Sequence, residues 1–167
     1  MRWSNRPILN LPGTNAERAL EAVGLLLLLG WLAYTASVWS TLPERVPTHF
    51  GVSGAVDAWG GRLSVLILPL VGSSLYLVLS VLQRFPRFYN YPVRVTAQNA
   101  ATLYRLGRQL LLWVKVLTTC TLAFLFGTIV SVARGETPGL TPLFVPLLLL
   151  PLIGVTSVLV LRMRRAK

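Results

Sequence analysis

Acids, histidine and cysteine are nearly missing from this chain. Of 167 residues only five are acidic: Glu17, Glu21, Glu44, Asp57 and Glu136. His49 is the single histidine and Cys120 the single cysteine. One cysteine excludes an internal disulfide and any multi-cysteine metal cluster. In its setting among Leu, Thr and Phe, Cys120 reads as a small buried filler residue. A metal site takes three or more ligands; only Glu44 could join His49 and Asp57 locally and no second histidine exists, so no metal is expected. No phosphate-binding glycine loop, Ser-His-Asp set, His-Glu-x-x-His pair or dinucleotide fingerprint occurs, so no catalytic residue and no cofactor are expected either. Charged residues of both signs make up only 13%, against 54% hydrophobic, which is too apolar for an ordinary soluble domain.

What the chain does have is four long apolar runs. Ala22 to Leu42 and Leu63 to Gln83 carry no charge, and each measures about 31 Å as a helix, matching a bilayer core. The third run, Gln109 to Ala133, holds one charge, Lys115; the fourth runs from Leu140 to Leu161. The expected fold is therefore an all-α integral membrane protein, one domain over 1–167, with spans at 22–42, 63–83, 109–133 and 140–161. A cleaved signal peptide competes for the first run, but that run is long and no Ala-x-Ala site follows it, so a retained span is expected. Thr14 or Asn15 is placed to cap the helix ahead of it, with Glu17 and Glu21 near its positive end. Trp31, Tyr34 and Trp39 gather toward its far end, as an aromatic belt does. Pro69 and Gly72 allow a kink in the second span. In the fourth, Pro142 suits a first helical turn, and Pro146 and Pro151 predict a bend.

The charge is lopsided: sixteen Lys and Arg give a formal +11. The basic residues lie in short segments between apolar runs, not on one folded face beside aromatics, which suits anionic lipid head groups and not nucleic acid. The connector 84–108 carries Arg84, Arg87, Arg94, Arg105 and Arg108 and no acid. Within it 85–92 reads as an interfacial turn, and Thr96 as the N-cap of a helix that runs on into the third span. The N-terminus, connector and tail hold twelve Lys and Arg, while the two other loops hold three. The positive-inside rule then places both termini and the connector in the cytoplasm of a multi-pass cell-membrane protein. Lys115 lies about two turns beyond Arg108 and is expected to snorkel back to the head groups; the alternative is an interior lysine paired with a polar group. Thr118, Thr119 and Thr121, just after it, can bond back to their own helix or across to a neighbour.

The loop 43–62 then faces outside. Pro43 and Pro47 block a helix and favour extended backbone before them, while Gly51, Gly54, Gly60 and Gly61 permit tight turns. Val46-Pro47-Thr48-His49-Phe50 reads as a short strand that a second short segment can pair with, a small β-hairpin cap. Trp59 is expected at the interface. His49 and Asp57 can form a hydrogen-bonded pair that locks the cap; a recognition surface for an outside ligand is the second reading, and catalysis or metal binding a distant third.

The loop also carries a family resemblance. Leu42-Pro43, then His49-Phe50, then Gly54, Asp57, Trp59-Gly60 and a basic residue resemble the membrane family known as domain of unknown function 1648. Its pattern is Leu-Pro, a gap, His-Phe, then Gly-x-x-Asp-x-Trp-Gly-Lys between two transmembrane helices. Here Arg62 stands for the lysine after an extra Gly61. Asn90-Tyr91-Pro92-Val93 through Asn99, Tyr104, Arg105, Trp113 and Lys115 is similar to longer members. The family includes bacterial immunity proteins of the SdpI type, which shield the cell from a secreted peptide toxin and hold a repressor at the membrane. The resemblance implies a non-enzymatic binding or regulatory protein, with Pro43, Pro47, His49, Phe50, Gly54, Asp57, Trp59 and Gly60 as its recognition motif. Lys115 is the candidate intramembrane polar site, and Arg84, Arg87, Arg94, Arg105 and Arg108 are candidate contacts for lipid or for a membrane or cytoplasmic protein partner. This chain has four spans where the immunity proteins have six. The alternatives are an accessory subunit of a larger membrane complex, and a small enzyme or transporter using His49, Asp57 and Lys115.

Overall fold

The computed structural model describes residues 6–166; Arg2 and Lys167, counted above toward the basic ends, lie outside it. Four helices carry the fold: α1 (Asn15–Val38), α2 (Ile67–Leu82), α3 (Ala100–Ala133) and α4 (Phe144–Arg165). All four are long and apolar enough to cross a membrane once the one-turn extensions of α1 and α2 are included. Two short antiparallel strands, β1 (Arg45–Phe50) and β2 (Val56–Gly61), form a hairpin between α1 and α2. The chain is a multi-pass membrane protein with one small sheet at one end of its bundle.

The first helix begins seven residues before the apolar run does. Thr14 and Glu17 form a capping box: the Glu17 backbone N–H donates to Thr14 Oγ1 (3.2 Å), and the Thr14 N–H donates to a Glu17 carboxylate oxygen (2.8 Å). That motif starts the helix early and brings Glu17 and Glu21 into it, one turn apart on the same side. At the other junction the third helix is continuous for 34 residues, so the basic connector does run straight into the span. Its N-cap is Asn99, not Thr96 as expected. Thr96 instead exchanges reciprocal hydrogen bonds with Asn99 in the turn just ahead. In the fourth span the helix starts at Phe144, so Pro142 precedes it, Pro146 falls in its first turn, and only Pro151 lies in its interior.

α3 is the centre of the bundle, with α1, α2 and α4 all packed on it. Phe126 and Val130 are fully buried, joined by Trp31 from α1 and Tyr76 from α2. The Trp31 and Phe126 rings meet edge-on with centroids 6.2 Å apart. Trp31 is therefore core and not belt, contrary to the expectation; its place is made by Gly72 on α2, where any Cβ would collide with the indole ring. Helices in lipid gain little from hydrophobic exclusion, and small residues that let backbones approach supply packing instead. Thr35, Thr119 and Thr121 donate back to carbonyls one turn earlier in their own helices, which pairs their own hydroxyls. Cys120, expected to be buried, instead lies exposed on the outer face of α3, where a small apolar side chain is at home in lipid.

The two ends of the bundle differ. At one end sit the hairpin and the turn between α3 and α4. At the other, the lead 6–14, the segment 83–99 and the last turn of α4 close around a second core of Leu103, Tyr104 and Met163. There Asn99 bridges the Arg94 and Ala166 carbonyls, and Tyr104 donates to the Pro7 carbonyl (3.0 Å). Segment 83–99 is mostly irregular, with one short turn at Pro86–Phe88, as its prolines dictate.

Candidate functional site

At the cap end, β1 and β2 pair with two slips in register. Pro47 lies opposite Trp59, His49 opposite Ala58 and Phe50 opposite Val56, which leaves Thr48 and Asp57 as extra residues in their strands. A bulge turns a side chain away from the simple alternation of a strand. Here it aims Asp57 at His49, and Nδ1 and Oδ1 lie 2.6 Å apart. Both side chains are open, 69% and 51% exposed, so the pair adds little to stability. The expected bond is formed, and further ties hold the cap to the bundle. Val46 and Pro47 are fully buried against the bundle. Gly54, in a left-handed conformation at φ 81°, accepts a 2.8 Å hydrogen bond from the Leu140 N–H, which ties the hairpin turn to the α3–α4 turn. Arg134 at the end of α3 donates to Thr41 Oγ1 (2.7 Å), and the Arg62 guanidinium stacks 4.9 Å over the Trp39 ring.

Beneath β1 lies a mostly apolar recess of about 350 Å³, lined among others by Thr48, His49, Phe50, Val65, Leu125 and Phe144. His49 is thus both a rim residue and half of the exposed pair. Of the other motif residues, Pro43 is half-buried, Trp59 is 45% exposed, and Gly60 lies opposite Val46 in the ladder. Glu44 adds only its backbone carbonyl, which accepts from the Arg62 N–H. Among the described residues no three His, Cys, Asp or Glu are grouped closely enough to hold a metal ion.

The second constellation is at the opposite end. Lys115 does not snorkel: its side chain is 0% exposed. Its Nζ donates to Glu21 Oε1 (2.6 Å), Ser80 Oγ (3.0 Å) and Gln83 Oε1 (3.2 Å), and sits 4.6 Å from the Tyr76 ring centroid. Three donors meet three acceptors drawn from α1 and the end of α2, the condition under which a buried charge is tolerable. One helical turn before Glu21, Glu17 pairs with Arg108 (3.2 Å), whose guanidinium also donates to the Leu11 carbonyl (2.7 Å). His49 and Asp57 precede α2 while Ser80 and Gln83 end it, so one site built from His49, Asp57 and Lys115 together is not assembled.

The five connector arginines divide. Arg84, Arg94 and Arg105 are exposed; Arg108 is internal, and Arg87 is half-buried with its guanidinium 5.0 Å over the Phe88 ring. Tyr89 and Tyr91 fold under this segment and donate to the Leu82 and Pro86 carbonyls; burial pushes both phenols well above their ordinary range. Glu17 and Glu21 were read from sequence only as acids near the start of the first helix, and Ser80 and Gln83 were not singled out. The signal was present: a Thr-x-x-Glu box extends the helix back, and a lone intramembrane lysine needs an acid, of which the chain has few.

Residues 25–72 match the family described as domain of unknown function (DUF1648). The match covers most of α1, the whole hairpin and the first part of α2; the stretch from Asn90 to Lys115 lies outside it. An uncharacterized protein of Archaeoglobus fulgidus is 40% identical over 90 residues, covering 48% of this chain and 49% of that protein. The chain thus spans about half the length of this relative. No solved structure matches the chain.

Proposed function

We propose that this is a non-enzymatic binding or regulatory protein of the cell membrane, with its hairpin cap outside and its basic end in the cytoplasm. The observation that carries the reading is the cap: a small sheet braced to both turns at its end of the bundle, presenting an exposed His49–Asp57 pair at the rim of an apolar recess. A fold that needed only to close the bundle has no use for that exposed pair, since open ion pairs add little stability. A recognition surface does, because a charged rim around an apolar pocket gives orientation as well as affinity. The asymmetry of twelve basic residues against three supports the orientation. The exposed Arg84, Arg94 and Arg105 then face the cytoplasm, available to anionic head groups or to an acidic protein surface.

The resemblance to SdpI-type proteins narrows the outside ligand to a secreted peptide, and the role to immunity or signalling. The test is survival of a toxin-sensitive host exposed to secreted peptide toxins. Wild-type protein is expected to protect, and His49→Ala or Asp57→Asn to lose protection at unchanged membrane abundance. Equal protection by wild type and both variants, or none by wild type, counts against the reading. Arg84→Ala with Arg94→Ala tests the inner partner separately.

A further inference from the structure

At the basic end, beside the Lys115 cluster, a recess of about 380 Å³ opens between α1, the end of α2 and α3. Glu17, Arg18, Glu21, Leu25, Gln83 and Arg108 contribute to its lining. Its polar groups are unevenly satisfied. Glu17 is 93% buried by side chain (7% exposed), yet only its Oε2 is bonded; Oε1 is buried without a hydrogen-bond partner. Glu21 gives Oε1 to Lys115, while its Oε2 takes a long 3.4 Å contact from the Gln83 amide and the Tyr76 hydroxyl lies close to the carboxylate. Glu21, 40% exposed, is therefore the carboxylate with room for a further donor, and Glu17 Oε1 adds an uncompensated oxygen enclosed in the wall. Opposite in sign, the exposed Arg18 side chain makes no hydrogen bond or ion pair among the described residues, and Arg108 Nε is buried without an acceptor.

The bound charges already balance: Glu17 against Arg108, and Glu21 against Lys115. A lone cation entering here meets Arg18, and a lone anion meets two carboxylates. The ligand that suits both carries an N–H-bearing ammonium and an anionic oxygen a few ångströms apart. Leu25, 46% exposed, continues the wall along the apolar outer face of α1, where acyl chains run in a membrane. We infer that this recess binds the zwitterionic head group of an aminophospholipid, with the ammonium on the Glu21 carboxylate beside the buried Glu17, the phosphate on Arg18, and the acyl chains along α1. The site is independent of what the cap binds.

The test is native mass spectrometry of the purified full-length protein, offered phosphatidylethanolamine, phosphatidylcholine or phosphatidylglycerol at equal concentration. Phosphatidylcholine has the same charges but no N–H donor, so losing the charge-assisted hydrogen bond to Glu21 should lower its retention about tenfold. Phosphatidylglycerol lacks the ammonium and should also be retained less. Arg18→Ala removes an exposed side chain with no hydrogen bond or ion pair of its own among the described residues and should weaken phosphatidylethanolamine about three- to tenfold, while Arg164→Ala, exposed on α4 and not part of the recess, leaves it unchanged. Equal retention of ethanolamine and choline lipids overturns the inference. So does preference for phosphatidylglycerol, or an equal loss with Arg164→Ala, either of which marks a general basic surface. Saturation by free phosphoethanolamine at the lipid's concentration would assign the recess to a soluble ester and overturn the lipid reading.

Discussion

Removing Glu21 should damage the protein more than removing Lys115, although the two form one ion pair. Lys115 is fully enclosed, whereas the Glu21 side chain is 40% exposed at the recess. Lys115→Met deletes the buried charge with a side chain of similar length and leaves a carboxylate that water can reach, so the loss should be about 1–2 kcal/mol. Glu21→Ala leaves an enclosed ammonium with only Ser80, Gln83 and the Tyr76 ring, and an uncompensated buried charge costs about 3–5 kcal/mol. The double variant has no stranded charge and should return to within about 1 kcal/mol of Lys115→Met. Equilibrium unfolding in mixed micelles, with all four proteins at one pH and salt, measures this cycle. Equal losses for the two single variants, or a greater loss for Lys115→Met, would refute the claim that the ammonium is sealed off and would restore the snorkelling lysine.

Three further outcomes are expected. Gly72→Ala should cost about 1–3 kcal/mol by driving a methyl into the Trp31 ring, read as a lowered detergent melting temperature, with Gly30→Ala, where space is open, as the neutral control. Gly54→Ala meets both a left-handed backbone and the Leu140 carbonyl, so it should loosen the cap by about 1–3 kcal/mol. Faster hydrogen exchange confined to residues 45–61 would show it. Because burial raises the Tyr89 and Tyr91 phenols in the folded state, their contribution is complete below pH 10 and lost as pH rises through the folded values. Tyrosinate absorbance should appear in the unfolded protein near pH 10 and be delayed in the folded one.

The four spans were legible because lipid solvation demands long apolar runs, and length against hydropathy is the strongest signal a sequence carries. The hairpin was legible from Pro43, Pro47 and the glycines, which leave few other backbone paths. Its bulges at Thr48 and Asp57 were not, since register depends on what β1 packs against. The Lys115 cluster was missed for a related reason. Its partners are 94, 35 and 32 residues away, and the nearest charge in sequence, Arg108, suggested the interface instead. Trp31 was misplaced because it was grouped with Tyr34 and Trp39, although it stands at the middle of the run 22–42, a depth that suits the core; the glycine facing it on α2 makes its place there.

Orientation underlies everything proposed for this protein, and cysteine labelling reads it directly. In a Cys120→Ser background, Val52→Cys at the fully exposed tip of the hairpin and Arg105→Cys on the exposed basic end are each treated with a membrane-impermeant maleimide in intact cells. Position 52 is expected to label at once and position 105 only after permeabilisation. Labelling of 105 but not 52 from outside, or of both together, would contradict a cap that faces out over a bundle anchored by its basic end.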